Sequence, residues 1–202
     1  MLFMQGDADE SNRMRTDLNH LPEPKQRELA EIVRLIRAQA EVLHIILYGS
    51  YARGDWKEAK DLKPNRWSGH ASDYDILVIV ETEEQARDLA FWNRLERECN
   101  RQGFSARVSL IVHDLADVNA NLEEGRYFFV DVKREGRLLY GTEGFDLAEP
   151  RDLTPEEEQC IAQADFDNWF ERAKEFYENY EFNYGKGKLR PAIFNLNLSC
   201  PG

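Results

Sequence analysis

The stretch "SDYDILVIV", residues 72–80, decides how the chain is read. After its two aspartates the run is entirely apolar, as a core strand requires. Side chains alternate along a strand, so Asp73 and Asp75 are expected to project from one face, with Ile76, Val78 and Val80 on the other. Two like charges placed side by side repel unless a cation neutralises them. Taken alone, the pair also fits a strand edge that meets solvent. The segment that separates these readings lies upstream. "VLHIILYGS", residues 42–50, reads as a buried strand that runs into a Gly-Ser turn, with a helix beginning at once. Gly49 permits close backbone approach, Ser50 offers a hydroxyl, and the amides at a helix start point outward, which together suit a phosphate. A phosphate cradle at one strand end and a carboxylate pair at the next are complementary through Mg²⁺, a hard ion that takes carboxylates along with substrate phosphates.

Composition bounds the rest. The chain has 202 residues, 42% of them hydrophobic and 11% aromatic, which is globular in character, and a formal net charge of −12, which disfavours a general nucleic-acid grip. The start, "MLFMQGDADESNR", has no basic n-region or long apolar run and is not a signal peptide, and no apolar stretch reaches the length of a membrane span. Cys99, Cys160 and Cys200 are scattered and odd in number, so they read as reduced thiols of a cytoplasmic protein, and the histidines show no zinc spacing.

Along the chain, residues 1–20 are expected to be a flexible acidic tail. "PEPKQRELAEIVRLIRAQA" places Leu29, Ile32, Val33, Ile36 and Ala40 at helical spacing. Residues 55–71 read as an inserted loop carrying Trp56, Lys57, Lys60, Lys63, Arg66 and Trp67, either a solvated surface loop or a lid that contacts the nucleotide or the acceptor. Thr82 and Gln85 predict a capping box opening a helix to about Gln102. "FSARVSLIVHD" is a third strand, "DLADVNANLEEG" and "YFFVDVKREG" are short helices, and "RLLYGT" is a last strand. Residues 143–153 form a charged linker. Thr154, Pro155 and Glu157 then open a helix whose Phe166, Trp169, Phe170, Ala173, Phe176, Tyr177 and Tyr180 recur at three-and-four spacing. Strands alternating with helices, then helix alone, predict an α/β unit with a helical appendage. "GKGK", residues 185–188, lacks the Walker spacing and reads as a basic helix–helix turn. His44 reads as a satisfied core residue, His113 as non-catalytic and Cys99 as a small core residue.

Strand, Gly-Ser turn, helix, then a strand carrying D-x-D resembles the polymerase-β-type nucleotidyltransferase superfamily, its minimal branch in particular, and "VKREGRLLYG" resembles the segment that closes that domain in many members. The resemblance implies an α+β fold: a nucleotidyltransferase-type mixed sheet flanked by helices over residues 21–142, followed by a short helical appendage. It implies transfer of a nucleoside monophosphate from an NTP to an acceptor hydroxyl on a protein or small molecule. Gly49 and Ser50 would hold the triphosphate, with Arg53 one turn into the helix facing phosphate or else paired on the surface with Asp55 or Glu58. Asp73 and Asp75 would be the catalytic carboxylates and ligands of a two-metal Mg²⁺ site. Two features depart from the family pattern. The interval between Ser50 and Asp73 is longer than in compact members, and Ser109 stands where a third carboxylate is expected on the neighbouring strand. Asp114 is better placed to cap the following helix, which leaves either a site that uses D-x-D alone or an acid from elsewhere such as Glu81.

"ADFDNWFERAKEFYENYEFNYGKGKLRPAIFNLNLS" is similar to the first helix and the start of the second in the HEPN helical domain often fused to such units. Residues 154–202 are therefore expected to be a truncated HEPN-like region to which no nuclease site is assigned. Its aromatic stripe predicts a homodimer through these helices. The resulting expectation is a cytoplasmic Mg²⁺-dependent enzyme of the kind found in toxin–antitoxin pairs. The rival expectation is a catalytically weak nucleotide-binding regulatory module, antitoxin-like, acting on a HEPN partner protein.

Overall fold

The computed structural model describes residues 14–58 and 71–199. The chain forms two compact units, the first ending at Arg151 and the second beginning at Asp152. The first holds, in order, α1 (Glu23–Arg37), β1 (His44–Tyr48), α2 (Gly49–Arg53), β2 (Tyr74–Val80), α3 (Glu83–Arg87), α4 (Leu89–Asn100), β3 (Val108–Asp114), α5 (Leu115–Glu123), α6 (Tyr127–Glu135) and β4 (Arg137–Gly141). Its four strands lie in the order β3-β2-β1-β4. β2 and β3 are parallel, whereas β1 is antiparallel to both β2 and β4, so the sheet is mixed and the fold is α+β.

The continuous apolar run of β2 follows from its central place between two helical layers. Tyr74, Ile76, Val78 and Val80 enter a core built with Leu29, Ile32 and Ile36 of α1 and Trp92, Leu95 and Cys99 of α4. Leu77 and Ile79 enter a second core with Val118 and Leu122 of α5 and Phe129 and Val132 of α6. Each fully buried aliphatic side chain is worth about 1.5–3 kcal/mol, so the run holds its register firmly. A slip of one residue would turn the whole strand over and drive Asp75 into the first core.

Tyr74, between the two aspartates, is completely buried. Its hydroxyl donates to Glu28 Oε2 at 2.7 Å, and its ring meets that of Tyr51 at 4.5 Å between centroids. Glu28 also accepts from the backbone N–H and the hydroxyl of Ser105, and that hydroxyl in turn accepts from the buried Lys25 ammonium at 2.7 Å. A satisfied polar network of this kind costs too much to rearrange for Tyr74 to turn outward. It therefore keys the phase of the strand at the point where the carboxylates emerge.

Several expectations change in the structure. The helix foreseen over 83–102 breaks at Asp88, whose side chain caps α4 by accepting from Phe91 N at 2.9 Å; an aspartate with this local alternative interrupts a helical period that otherwise runs on. Within the tail, residues 14–20 are not loose: Leu138 N donates to Arg15 O, Asp17 pairs with the buried Arg137, and His20 Nε2 donates to Tyr51 O at 2.8 Å. Residues 1–13 lie outside the described residues. In the segment 143–153, Lys133 donates to the carbonyls of Leu147 and Ala148, and Leu147 packs into the second core, so its first part is a strap on the first unit. Of the inserted loop only the base is described. Lys57 and Ser72 exchange two hydrogen bonds, Trp56 stacks on Tyr51, and Lys25 pairs with Glu58 at 3.2 Å. Lys60, Lys63, Arg66 and Trp67 lie outside the described residues, as do "CPG" and its Cys200.

In the second unit, α7 (Pro155–Gly185) opens on the foreseen capping box of Thr154 and Glu157, and α8 (Leu189–Ser199) follows a short turn. Gly187 has φ +68° there, which makes "GKGK" a helix–helix turn. α8 packs against α7, with Ala192 buried. Phe166, Trp169, Phe170, Tyr177, Phe182 and Tyr184 of α7 are exposed. No helix among the described residues is long and apolar enough to cross a membrane.

Candidate functional site

The ends of β1 and β2 meet because the two strands are antiparallel and Tyr48 lies opposite Asp75. The next residue, Gly49, has φ +70°, in the left-handed region that favours glycine. A Cβ at Gly49 would sit 2.6 Å from Asp75 Oδ2. Glycine is thus required twice, once for the turn and once because a carboxylate occupies the space where any side chain would begin. The close approach that the sequence reading assigns to a phosphate at this glycine is made here by the Asp75 carboxylate.

α2 starts at this elbow and is only five residues long. It is held from behind: Tyr51 O accepts from His20 Nε2, Ala52 O accepts from Arg137 Nε at 3.2 Å, and Gly54 closes it at φ +93°. Tyr51 and Ala52 are buried, while Ser50 is half-buried at the elbow itself. The short helix is therefore a rigid shelf beside Asp75.

Asp75 is half-buried. Burial pushes its carboxyl above the usual range, the neighbouring charge of Asp73 pushes it further, and Arg53 partly offsets both. Asp73, one residue before β2, is thus electrostatically coupled to Asp75. Burial, with the Asp75 charge second, also raises the Tyr48 phenol, which stays protonated at neutral pH. Arg53 is exposed and faces Asp55 at 3.4 Å and Glu135 of α6 at 3.7 Å, whereas Glu58 pairs with Lys25 instead.

The neighbouring strand supplies no third carboxylate at this level. β3 runs parallel to β2 with Ser109 opposite Asp75. Asp114, at the far end, caps α5 by accepting from Asp117 N at 3.0 Å. Glu81 follows the last residue of β2, so it lies about 20 Å from Asp75 along the strand direction and does not serve as the alternative acid. No cluster of three or more His, Cys, Asp or Glu side chains suited to a metal occurs among the described residues.

The remaining candidates fall elsewhere. His113 pairs with Asp117 at 2.6 Å and stands opposite Ile79, about 13 Å down the strand from Asp75. His44 is only half satisfied: Nε2 donates to Phe145 O, and Nδ1 is buried without a partner among the described residues. Cys99 is a core thiol that burial raises to about 11. Sequence reasoning missed Tyr48 and the α6 face that carries Asp131 and Glu135. The contact between Tyr48 and Phe128, ring centroids 5.3 Å apart, fixes that face beside the elbow. "YFF" at residues 127–129 was its only local signal.

Compared with models of protein families and with curated proteins, the chain finds no match in either.

The raised carboxyl of Asp75 carries a stability consequence. The folded state holds this proton more tightly than the unfolded one, so ionisation weakens the fold as pH rises from the ordinary aspartate value of 3.8 through the folded value. Asp75→Asn removes that cost. Because the carboxyl is only half-buried, solvent screening limits the gain to about 1 kcal/mol, or about 2–4 °C in Tm for a chain of this size. Thermal unfolding monitored across pH should show the variant more stable than wild type at pH 7, with the difference vanishing below the ordinary aspartate pKa. A variant less stable at pH 7 contradicts the repulsion.

Proposed function

We propose that the first unit is a Mg²⁺-dependent nucleotidyltransferase of the polymerase-β type. The observation that carries this reading is the Asp75 carboxylate packed against Gly49, with the charge of Asp73 beside it. Two neighbouring carboxylates, opposed among the described residues by the exposed Arg53, leave a negative site that suits a hard divalent cation. Asp73 and Asp75 would hold Mg²⁺, which when bound neutralises charge on the triphosphate. Ser50 and the backbone of the elbow bind and orient the phosphates. Arg53 is free to exchange its surface carboxylates for phosphate oxygens, since exposed ion pairs are worth at most about 1 kcal/mol. In the reaction the acceptor hydroxyl gives up its proton to solvent as its oxygen bonds to the α-phosphorus, the bond from that phosphorus to the oxygen bridging to the β-phosphate breaks, and pyrophosphate departs. Positioning and electrostatics supply most of the rate in such transfers.

The acceptor is a hydroxyl on a protein partner or a small molecule. The net charge of −12 favours a cationic one. The second unit is HEPN-like, which fits a toxin–antitoxin setting in the cytoplasm. Ser109 opposite Asp75 favours a second reading, a regulatory module that binds the nucleotide without transferring it, because a missing ligand to the metal on the acceptor side weakens chemistry more than NTP binding.

Incubation with labelled ATP, GTP, CTP and UTP plus Mg²⁺, alone and with cell extract, separates the two. The enzyme reading expects label transferred by the wild type and lost at least a hundredfold in Asp73→Ala/Asp75→Ala; calorimetric NTP binding with no transfer supports the regulatory module. The exposed aromatic residues of α7 predict that two chains associate through their second units. Sedimentation over a concentration series should show a homodimer, and a monomer at every concentration removes that assignment.

A further inference from the structure

The first α6 turn, "YFF", divides its aromatic residues sharply. Phe129 is buried in the second core, and Phe128 packs edge-on against Tyr48, the residue opposite Asp75. Tyr127 is left 74% exposed, and Leu89 is the other large hydrophobic side chain of the first unit left this open among the described residues. A tyrosine with two packed neighbours anchoring its helix cannot simply be swung into the core.

Tyr127, Asp131 and Glu135 recur at four-residue intervals and so share one face of α6. That face is turned to the elbow, because Arg53 of α2 meets Glu135 at 3.7 Å. The start of the helix lies there too, because Phe128, next to Tyr127, packs on Tyr48 opposite Asp75. An exposed aromatic ring thus stands beside the residue opposite Asp75, on the helix face that meets Arg53.

We propose that Tyr127 is the stacking platform for the base of the bound nucleoside triphosphate. The inference rests on the nucleotide reading given above. A polyphosphate seated at Gly49–Ser50 carries its nucleoside outward from the sheet end, and the α6 face is the wall it meets. A planar base on a tyrosine ring gains about 1–3 kcal/mol with little dependence on which base it is. Asp131, one turn further along the same face, offers an acceptor for an exocyclic amino group. The platform would therefore favour bases with such a group over uracil.

The test compares Mg²⁺-NTPs with Mg²⁺-tripolyphosphate, which has the phosphates and no base, by calorimetry on the full chain. Wild type should bind ATP, CTP or GTP about tenfold or more tighter than tripolyphosphate. Tyr127→Ala should abolish that preference and leave tripolyphosphate affinity unchanged, and Tyr127→Phe should keep most of it. A merely structural role would lower both affinities together. Wild type binding NTP and tripolyphosphate equally, or Tyr127→Ala keeping the preference, overturns the stacking assignment while leaving the phosphate site intact. Wild type binding neither overturns the nucleotide reading, and the platform with it.

Discussion

The absence of one Cβ governs this protein. Gly49 leaves the space that the Asp75 carboxylate fills, and a methyl group there would lie 2.6 Å from its Oδ2. Any larger residue must push the carboxylate away, strain the backbone at φ +70°, or part the ends of β1 and β2. Much of the first unit serves to keep this approach. Tyr74 keys the phase of β2 through Glu28, and Arg137 and His20 hold the short α2 from behind. The aliphatic run from Ile76 to Val80 makes any change of register costly.

The same approach makes the site unstable in itself. Burial and the Asp73 charge both disfavour the ionised Asp75, and the cation that offsets them among the described residues, Arg53, is shared with Asp55 and Glu135. A fold selected for stability alone would replace one of these acids with an amide. Retained strain of this sort is typical of functional sites, where the missing compensation arrives with a ligand. In the proposed reading that compensation is a divalent cation with a polyphosphate, and the serine opposite Asp75 is the feature that would set catalysis apart from binding.

Much of the architecture was legible because its signals are local. β2 reads as a strand since both faces are buried, and the capping boxes at Thr82 and Thr154 sit within four consecutive residues. What was not legible depends on partners far away in sequence. The break at Asp88 is invisible to a hydrophobic period that continues through it. The tail residues 14–20 look polar but are tied down by Arg137 and α2. Glu81 is close to Asp75 in sequence and yet at the wrong end of the strand, which only the strand direction reveals. The exposure of Tyr127 beside two packed phenylalanines is a product of how α6 lies under Tyr48, and nothing in its composition announces it.

The central claim is that the carboxylate pair and the Gly-Ser elbow form one site for a metal-bound triphosphate. A crystal structure with Mg²⁺ and a non-hydrolysable α,β-methylene NTP analogue tests it most directly. The account predicts Mg²⁺ held by oxygens of both Asp73 and Asp75 at about 2.0–2.1 Å, with phosphate oxygens at Ser50. A nucleotide bound elsewhere on the chain, or a triphosphate at the elbow with neither aspartate reaching its metal, contradicts it.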